Sequence, residues 1–142
     1  MENMKLLIDT NVVLDWILDR EPFADYAVRI MESCINGKAK GYLTSHTILN
    51  IFYITRKHFD VDARKEIGLM LCEKFDIIGI NREFLIKSLQ NEAWTDLEDG
   101  LQMQCAEAEN LDYIITRDSK GFETSKIPIL LSKDAMEFIE KY

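Results

Sequence analysis

The stretch Met4-Lys5-Leu6-Leu7-Ile8-Asp9-Thr10-Asn11 decides the fold. Its first half is short and almost continuously apolar, as a parallel strand buried on both faces requires; a strand with one wet face would alternate. Asp9-Thr10-Asn11 then interrupts the run with polar side chains, and Val12 to Leu18 reads as a helix. A buried strand that ends on an aspartate and passes straight into a helix sets that carboxylate at the carboxyl edge of a sheet. Ligands of open α/β proteins gather there.

The same alternation continues outward along the chain. Pro22 can open a second helix in its first turn, where a missing N–H costs little. Phe23, Ala27, Ile30 and Cys34 form one stripe of that helix, and Asn36-Gly37 supplies its stop. A strand is predicted at Gly41 to Thr44, then a helix from His46 to His58. That helix is apolar over much of its circumference (Ile48, Leu49, Ile51, Phe52), so it should be largely buried. Val61 to Lys74 reads as a helix with Ala63, Ile67 and Met70 on one side, Phe75 to Ile80 as a strand, and Arg82 to Asn91 as a short helix. Asp96 to Asn110 is amphipathic, with Leu97, Leu101, Cys105 and Ala108 on one face. A fourth strand follows at Asp112 to Thr116, a loop at Arg117 to Phe122 and a fifth strand at Ile127 to Leu131. Pro128 cannot donate to a ladder, which assigns the fifth strand to an edge. Ser132 is expected to cap a terminal helix carrying Ala135, Met136 and Ile139. The pattern predicts a three-layer α/β/α sandwich around a mainly parallel sheet of four to five strands. A length of 142 residues predicts one domain over residues 1–142.

Lys and Arg number 17 against 25 Asp and Glu, a net charge of −8. The apolar share of 47% and charged share of 30% exclude disorder, collagen-like repeats and a disulfide-stapled miniprotein. Proteins that hold nucleic acid mainly by neutralising phosphates are usually basic. A nucleic-acid role here therefore needs a local source of positive charge, such as a bound metal. Cys34, Cys72 and Cys105 are odd in number and far apart, and read as buried free thiols in a reducing compartment. No signal-peptide layout stands near Met1 and no apolar run is long enough for a bilayer, so a cytoplasmic protein without a membrane partner is expected.

Asp9 follows the first strand and Asp118 the fourth, while Asp96 and Asp99 are spaced to share one face of a helix's first turn. If the first and fourth strands are neighbours, these carboxylates converge. Crowded carboxylates raise each other's proton affinity unless a cation compensates, and hard oxygen donors suit Mg²⁺ or Mn²⁺. Each acid also has an ordinary reading: Asp9 as a helix cap, Asp99 as a complement to a helix dipole, Asp118 as a turn residue. Glu98, Glu107 and Glu109 read as solvated helix acids, and His46 and His58 lack partners at zinc spacing. Arg56-Lys57-His58, Arg117 and Lys120 read as solvated charge at least as readily as phosphate contacts. Trp16, Phe52, Tyr53 and Trp94 read as core or dimer contacts.

Taken in order, Leu7-Ile8-Asp9-Thr10-Asn11-Val12, Thr44-Ser45 with the helix after it, Asp96-Leu97-Glu98-Asp99-Gly100 and Tyr113-Ile114-Ile115-Thr116-Arg117-Asp118 resemble the PIN-domain family. The likeness spans essentially the whole chain and is greatest to the small bacterial members that include VapC-type toxins. It implies an endoribonuclease dependent on Mg²⁺ or Mn²⁺, one or two ions per site, with an RNA substrate, a homodimer and an antitoxin partner whose tail blocks the cleft. Asp9, Asp99 and Asp118 would correspond to the metal-holding acids, and Asp96 to a frequent but less central one. Thr10, Asn11 and Thr116 would orient carboxylates or waters.

The sequence departs from the pattern at one place. Many members carry a glutamate on the helix after Thr44-Ser45, and here the best match is Asn50, on a polar stripe with His46, Thr47, Tyr53 and Lys57. An amide can ligate through its oxygen but adds no negative charge. Weaker metal binding is therefore expected, with one firmly held ion rather than two. Two functions stay open: a ribonuclease whose catalytic residues are Asp9, Asp99, Asp118, Asn50 and Asp96, and a catalytically weakened module that binds RNA or a protein partner. Asp9-Thr10-Asn11-Val12 after a strand also suggests a haloacid-dehalogenase-like phosphotransferase. That chemistry normally needs a second aspartate where Asn11 stands.

Overall fold

A computed structural model describes residues 3–94 and 96–141. The apolar runs become strands and the periodic segments helices, in the order β1 (Lys5–Ile8), α1 (Thr10–Ile17), α2 (Ala24–Ile35), β2 (Lys40–Thr44), α3 (Ser45–Ile54), α4 (Val61–Lys74), β3 (Asp76–Ile78), α5 (Arg82–Gln90), α6 (Leu97–Ala108), β4 (Tyr113–Thr116), β5 (Ile129–Leu131) and α7 (Ser132–Glu140). Short 3₁₀ turns lie at Thr55–Lys57 and Ser119–Phe122.

The two-residue period of a strand sorts each run between two cores. Leu6 and Ile8 of β1, Leu43 of β2 and Ile115 of β4 face one side of the sheet. Against them pack Val12 and Val13 of α1, Ala27, Ile30 and Met31 of α2, Ile51 of α3, Leu71 of α4, and Ala135 and Ile139 of α7. Leu7, Tyr42 and Ile114 face the other side, against Met103, Cys105 and Ala106 of α6, with Phe84 of α5 beside them. Helices thus cover both faces of the sheet, giving the three-layer α/β/α sandwich. Because both faces are dry, the central strands read as unbroken apolar runs rather than alternating ones.

All neighbouring strands are parallel and the order is β3-β2-β1-β4-β5. β1 is central, with Leu6 opposite Gly41 on one flank and Tyr113 on the other. The carboxyl ends of β1 and β4 are therefore adjacent. The Asp9 amide donates to the Ile115 carbonyl at 2.9 Å, extending the ladder one step and fixing the Asp9 backbone at that edge. β5 is an edge strand as its proline requires; the Pro128 carbonyl accepts from the Ile114 amide at 3.0 Å, an exchange that asks no N–H of proline.

Four local expectations are corrected. Pro22 does not open α2, which begins at Ala24; it lies in the preceding turn, after a cis peptide with Glu21. Ser132 is the first helical residue of α7, not its cap, and makes no capping bond there; Leu131 holds the cap position and Asp134 complements the first turn. α3 is not largely buried: it packs through Thr47 and Ile51, leaving Leu49 69%, Tyr53 61% and Phe52 37% exposed. Its apolar circumference exceeds what one packed face can cover. Finally, Cys34 and Cys105 are buried free thiols, both pushed up to about 12 by burial, but Cys72 on α4 is exposed. Among the described residues no helix is long and apolar enough to cross a membrane.

Candidate active site

Three chain segments meet at the carboxyl edge of the sheet because β1 and β4 are neighbours and α6 lies over the same end. Asp9 leaves β1 and is only 6% exposed. Its Oδ1 accepts from Gln102 Nε2 of α6 at 2.9 Å and its Oδ2 from Thr116 Oγ1 at 2.8 Å. Thr116, the last residue of β4, also accepts from the Asp118 amide at 3.2 Å. One hydroxyl thus ties the two strand ends together. Burial raises the proton affinity of Asp9, opposed by the hydrogen bonds from Gln102 and Thr116.

Asp96 stands just outside α6 as its N-cap, where its Oδ1 accepts from the Asp99 amide at 3.1 Å. Asp99 lies in the first turn. Its pKa is pushed up to about 7, first by burial and then by the negative charge of Asp96, Asp9, Glu98 and Asp118. Asp118 is exposed, and its Oδ1 accepts from the Lys120 amide at 3.0 Å to cap the short turn after it. Among the described residues none of Asp9, Asp96, Asp99 and Asp118 forms an ion pair with a basic side chain. The nearby guanidinium of Arg117 is committed elsewhere: together with Arg20 it grips the buried Asp15 at 3.0 and 2.8 Å.

Asn50 points from α3 toward α6, and its Nδ2 donates to Glu98 Oε2 at 3.1 Å. Thr10 Oγ1 donates to Glu98 Oε1 at 2.7 Å, so the Thr10 hydroxyl orients Glu98 while its backbone amide bears on Asp9. Asn11 is exposed, its carbonyl accepting from Arg20 Nη2 at 3.3 Å. The sequence reading missed three residues here. Glu98 is not a solvated acid, since its side chain is 26% exposed and held by two elements outside its own helix. Gln102 carries no charge and stands one turn past Asp99, so only a helix phase drawn from Glu98 or Asp99 would have found it. Gly121 has no side chain to signal anything, yet a Cβ there would overlap Asp99 Oδ2. A cavity of about 250 Å³ opens beside these groups, lined by Trp94, Asp96, Asp99, Lys120 and Gly121 among others.

The donor set is carboxylate and amide oxygen, without thiol or a histidine cluster, which is the chemistry of a hard divalent ion. Among the described residues no three acidic, histidine or cysteine side chains are preset in a group that could hold a metal ion. The acids fit such an ion by type and because, among the described residues, no basic side chain is paired to them.

Two predictions arise here. Gly121→Ala pushes the Asp99 carboxylate aside without touching the core, and should lower any metal-dependent turnover by about 10²-fold, the scale of a 1 Å misplacement. Unchanged turnover in that variant would show that Asp99 has room to spare. The second concerns pH. With a folded-state pKa near 7 against 3.8 as the ordinary value, Asp99 keeps a proton in the folded chain that the unfolded chain releases. Metal-free stability should therefore fall as pH rises from about 4 through 7, by about 1–2 kcal/mol after allowing for solvent screening. Thermal melts in chelator should show this slope in the wild type and its flattening in Asp99→Asn; parallel profiles would refute it.

A parallel sandwich with acids from β1, α6 and the end of β4 gathered at one sheet edge defines the class: an α/β/α protein with an acidic sheet-edge cluster. The chain belongs to the PIN-domain family, whose defining pattern, the PIN domain, matches residues 5–120. It is similar to Ribonuclease VapC1 of Aquifex aeolicus (strain VF5), 24% identical over 148 residues that cover 100% of this chain and 98% of that protein. Its fold is that of FitAcB from Neisseria gonorrhoeae (TM-score 0.68, 17% identity, 90% of this chain and 98% of that one). A toxin–antitoxin complex from Klebsiella pneumoniae gives a TM-score of 0.66 at 22% identity over 89% and 97%. VapC20 of Mycobacterium tuberculosis, described as a sarcin-ricin loop cleaving toxin, gives 0.67 at 8% identity over 84% and 94%.

Proposed function

We propose that this protein is a metal-dependent endoribonuclease that hydrolyses RNA phosphodiester bonds and serves as the toxin of a toxin–antitoxin pair. What supports the reading is that the charges of Asp96, Asp9 and Asp118 all bear on Asp99 at one sheet edge, with no basic side chain paired to any of the four among the described residues. Asp9, Asp99 and Asp118 would hold Mg²⁺ or Mn²⁺, which supplies the positive charge that acidifies an attacking water and draws in a phosphate oxygen.

The chain's own residues do the rest. Thr116 and Gln102 fix both oxygens of Asp9, so that carboxylate meets its ligand without first losing rotamer freedom. Asp96 pins the first turn of α6 and with it the position of Asp99. Asn50 assists through its hydrogen bond to Glu98, and Lys120 at the rim offers a charge for a flanking phosphate. Water attacks directly, so no covalent intermediate with the protein forms.

Similarity to chains solved in toxin–antitoxin complexes supports an antitoxin partner. The exposed Leu49 and Tyr53 on α3, Leu69 on α4 and Leu89 on α5 supply apolar surface for that partner and for a second copy of the chain. The test is cleavage of RNA by the purified chain with Mn²⁺, with Mg²⁺ and with chelator; cleavage that persists in chelator defeats the proposal.

A second reading is favoured by Asn50: a module that keeps the fold, binds RNA or a protein, and has lost catalysis. Calorimetric titration with Mn²⁺ separates the two, since no heat together with no cleavage under any divalent ion selects the module.

A further inference from the structure

Glu98 does more than complement the first turn of its own helix. It leaves the first turn of α6 and ends against the opposite wall, formed by the start of α1 and by α3. The buried hydroxyls on that wall form a chain whose direction is fixed by counting protons. An ionised carboxylate only accepts, so the single hydroxyl proton of Thr10 goes to Glu98 Oε1 at 2.7 Å. Thr47 must then donate to Thr10, 2.9 Å away, and Thr44 to Thr47, 3.1 Å away, while Thr44 accepts from the Thr47 amide. All three threonines are buried. The chain runs Thr44 to Thr47 to Thr10 to Glu98, and the Asn50 amide adds a further donor at 3.1 Å, with His46 Nε2 at 3.6 Å from the same oxygen. Two donors from different elements, the Thr10 hydroxyl backed by Thr47 and Thr44 and the Asn50 amide, are aimed at one carboxylate whose charge bears on both Asp9 and Asp99.

Asn50 is then explained by its neighbour. A glutamate at position 50 would face Glu98 across this short gap as a like charge, which repels; an amide there donates instead. A neutral acceptor would satisfy the threonines equally well. A carboxylate does something more: it adds negative charge next to acids that, among the described residues, pair with no basic side chain, an arrangement that a bound cation makes favourable.

We propose that Glu98 supplies, from α6, the carboxylate that Asn50 does not provide from α3, so that the negative charge of the cation site has changed helices without being lost. This inference rests on the metal-dependent reading above. Gln102 and Thr116 orient Asp9 on one side of the site, and Thr10 with Asn50 orients Glu98 on the other.

The test is calorimetric titration of the full metal-free chain with Mn²⁺, with thermal melts confirming that each variant is folded. Gln at position 98 can still accept from Thr10 and, with the Asn50 amide turned over, donate to the Asn50 oxygen, so Glu98→Gln keeps the wall hydrogen-bonded. It should weaken Mn²⁺ binding about 10–100-fold. Adding Asn50→Glu to Glu98→Gln returns the charge to α3 and should bring affinity back to near the wild-type value. Wild-type affinity in Glu98→Gln overturns the inference, as does a double variant that binds no better than Glu98→Gln alone. The two levels fail separately. If the wild type takes up no Mn²⁺, the cation reading falls and this inference with it. If the wild type binds, Asp9→Asn does not, and Glu98→Gln binds normally, only the role of Glu98 is lost.

Discussion

Asp9→Asn is expected to lower RNA cleavage by on the order of 10³-fold or more while leaving the chain folded and no less stable at pH 8. The activity loss follows from charge. A metal contributes several kcal/mol of transition-state stabilisation, each 1.36 kcal/mol being tenfold in rate, and an amide at this position would surrender the charge proposed to hold it. Stability moves the other way. Burial raises the pKa of Asp9, so holding this carboxyl in the fold carries a cost that grows as pH rises out of the ordinary carboxylate range. Asparagine is neutral and removes it. The hydrogen bonds survive in number: one face of the amide accepts from Gln102, and the Thr116 hydroxyl can turn to accept from the other. Cleavage assays and thermal melts on the same preparation check both halves. Wild-type cleavage in the variant would remove Asp9 from the mechanism, and a collapsed melting temperature would make it a structural residue.

Gly41→Ala should be the most disruptive single methyl in the sheet. Gly41 lies within β2, opposite Leu6 of β1. A Cβ there would stand 2.5 Å from Cδ1 and Cε1 of Phe75 and 3.0 Å from Cβ of Cys34. Phe75 and Cys34 are both buried, so neither can swing into solvent to make room. Overpacking of this kind typically costs 1–3 kcal/mol, and two blocked directions place Gly41→Ala at about 3 kcal/mol. Against a total stability of about 5–15 kcal/mol that is a large share, and the midpoint should drop on the order of 10 °C. Phe75→Leu in the same chain should recover part of the loss, a coupling that a double-mutant cycle measures directly. A melt superimposable on the wild type would mean that β2 and the start of β3 are less tightly apposed than described.

The architecture was legible because parallel strands buried on both faces leave a one-dimensional signature. Met4 to Ile8 and Asp112 to Thr116 are apolar runs too short for helices, each followed by an aspartate within a few residues. Element ends were less legible, as with Pro22 and Ser132, because caps depend on which side chain finds which amide once the chain has turned. The exposure of α3 was misread for a different reason. Hydrophobicity records what a helix can bury, and only its placement in a layer decides how much of it is covered.

By itself the sequence determined the alternation of strands and helices and put acids at positions 9, 96, 99 and 118, since hydrophobic period and residue type are local properties. Only the tertiary structure decided that β1 pairs with β4, that Gln102 and Thr116 close on Asp9, and that Glu98 crosses to Thr10 and Asn50. Each of those depends on strand order and helix rotation, which bring together residues 48 to 107 positions apart. No local rule of side-chain spacing reaches that far.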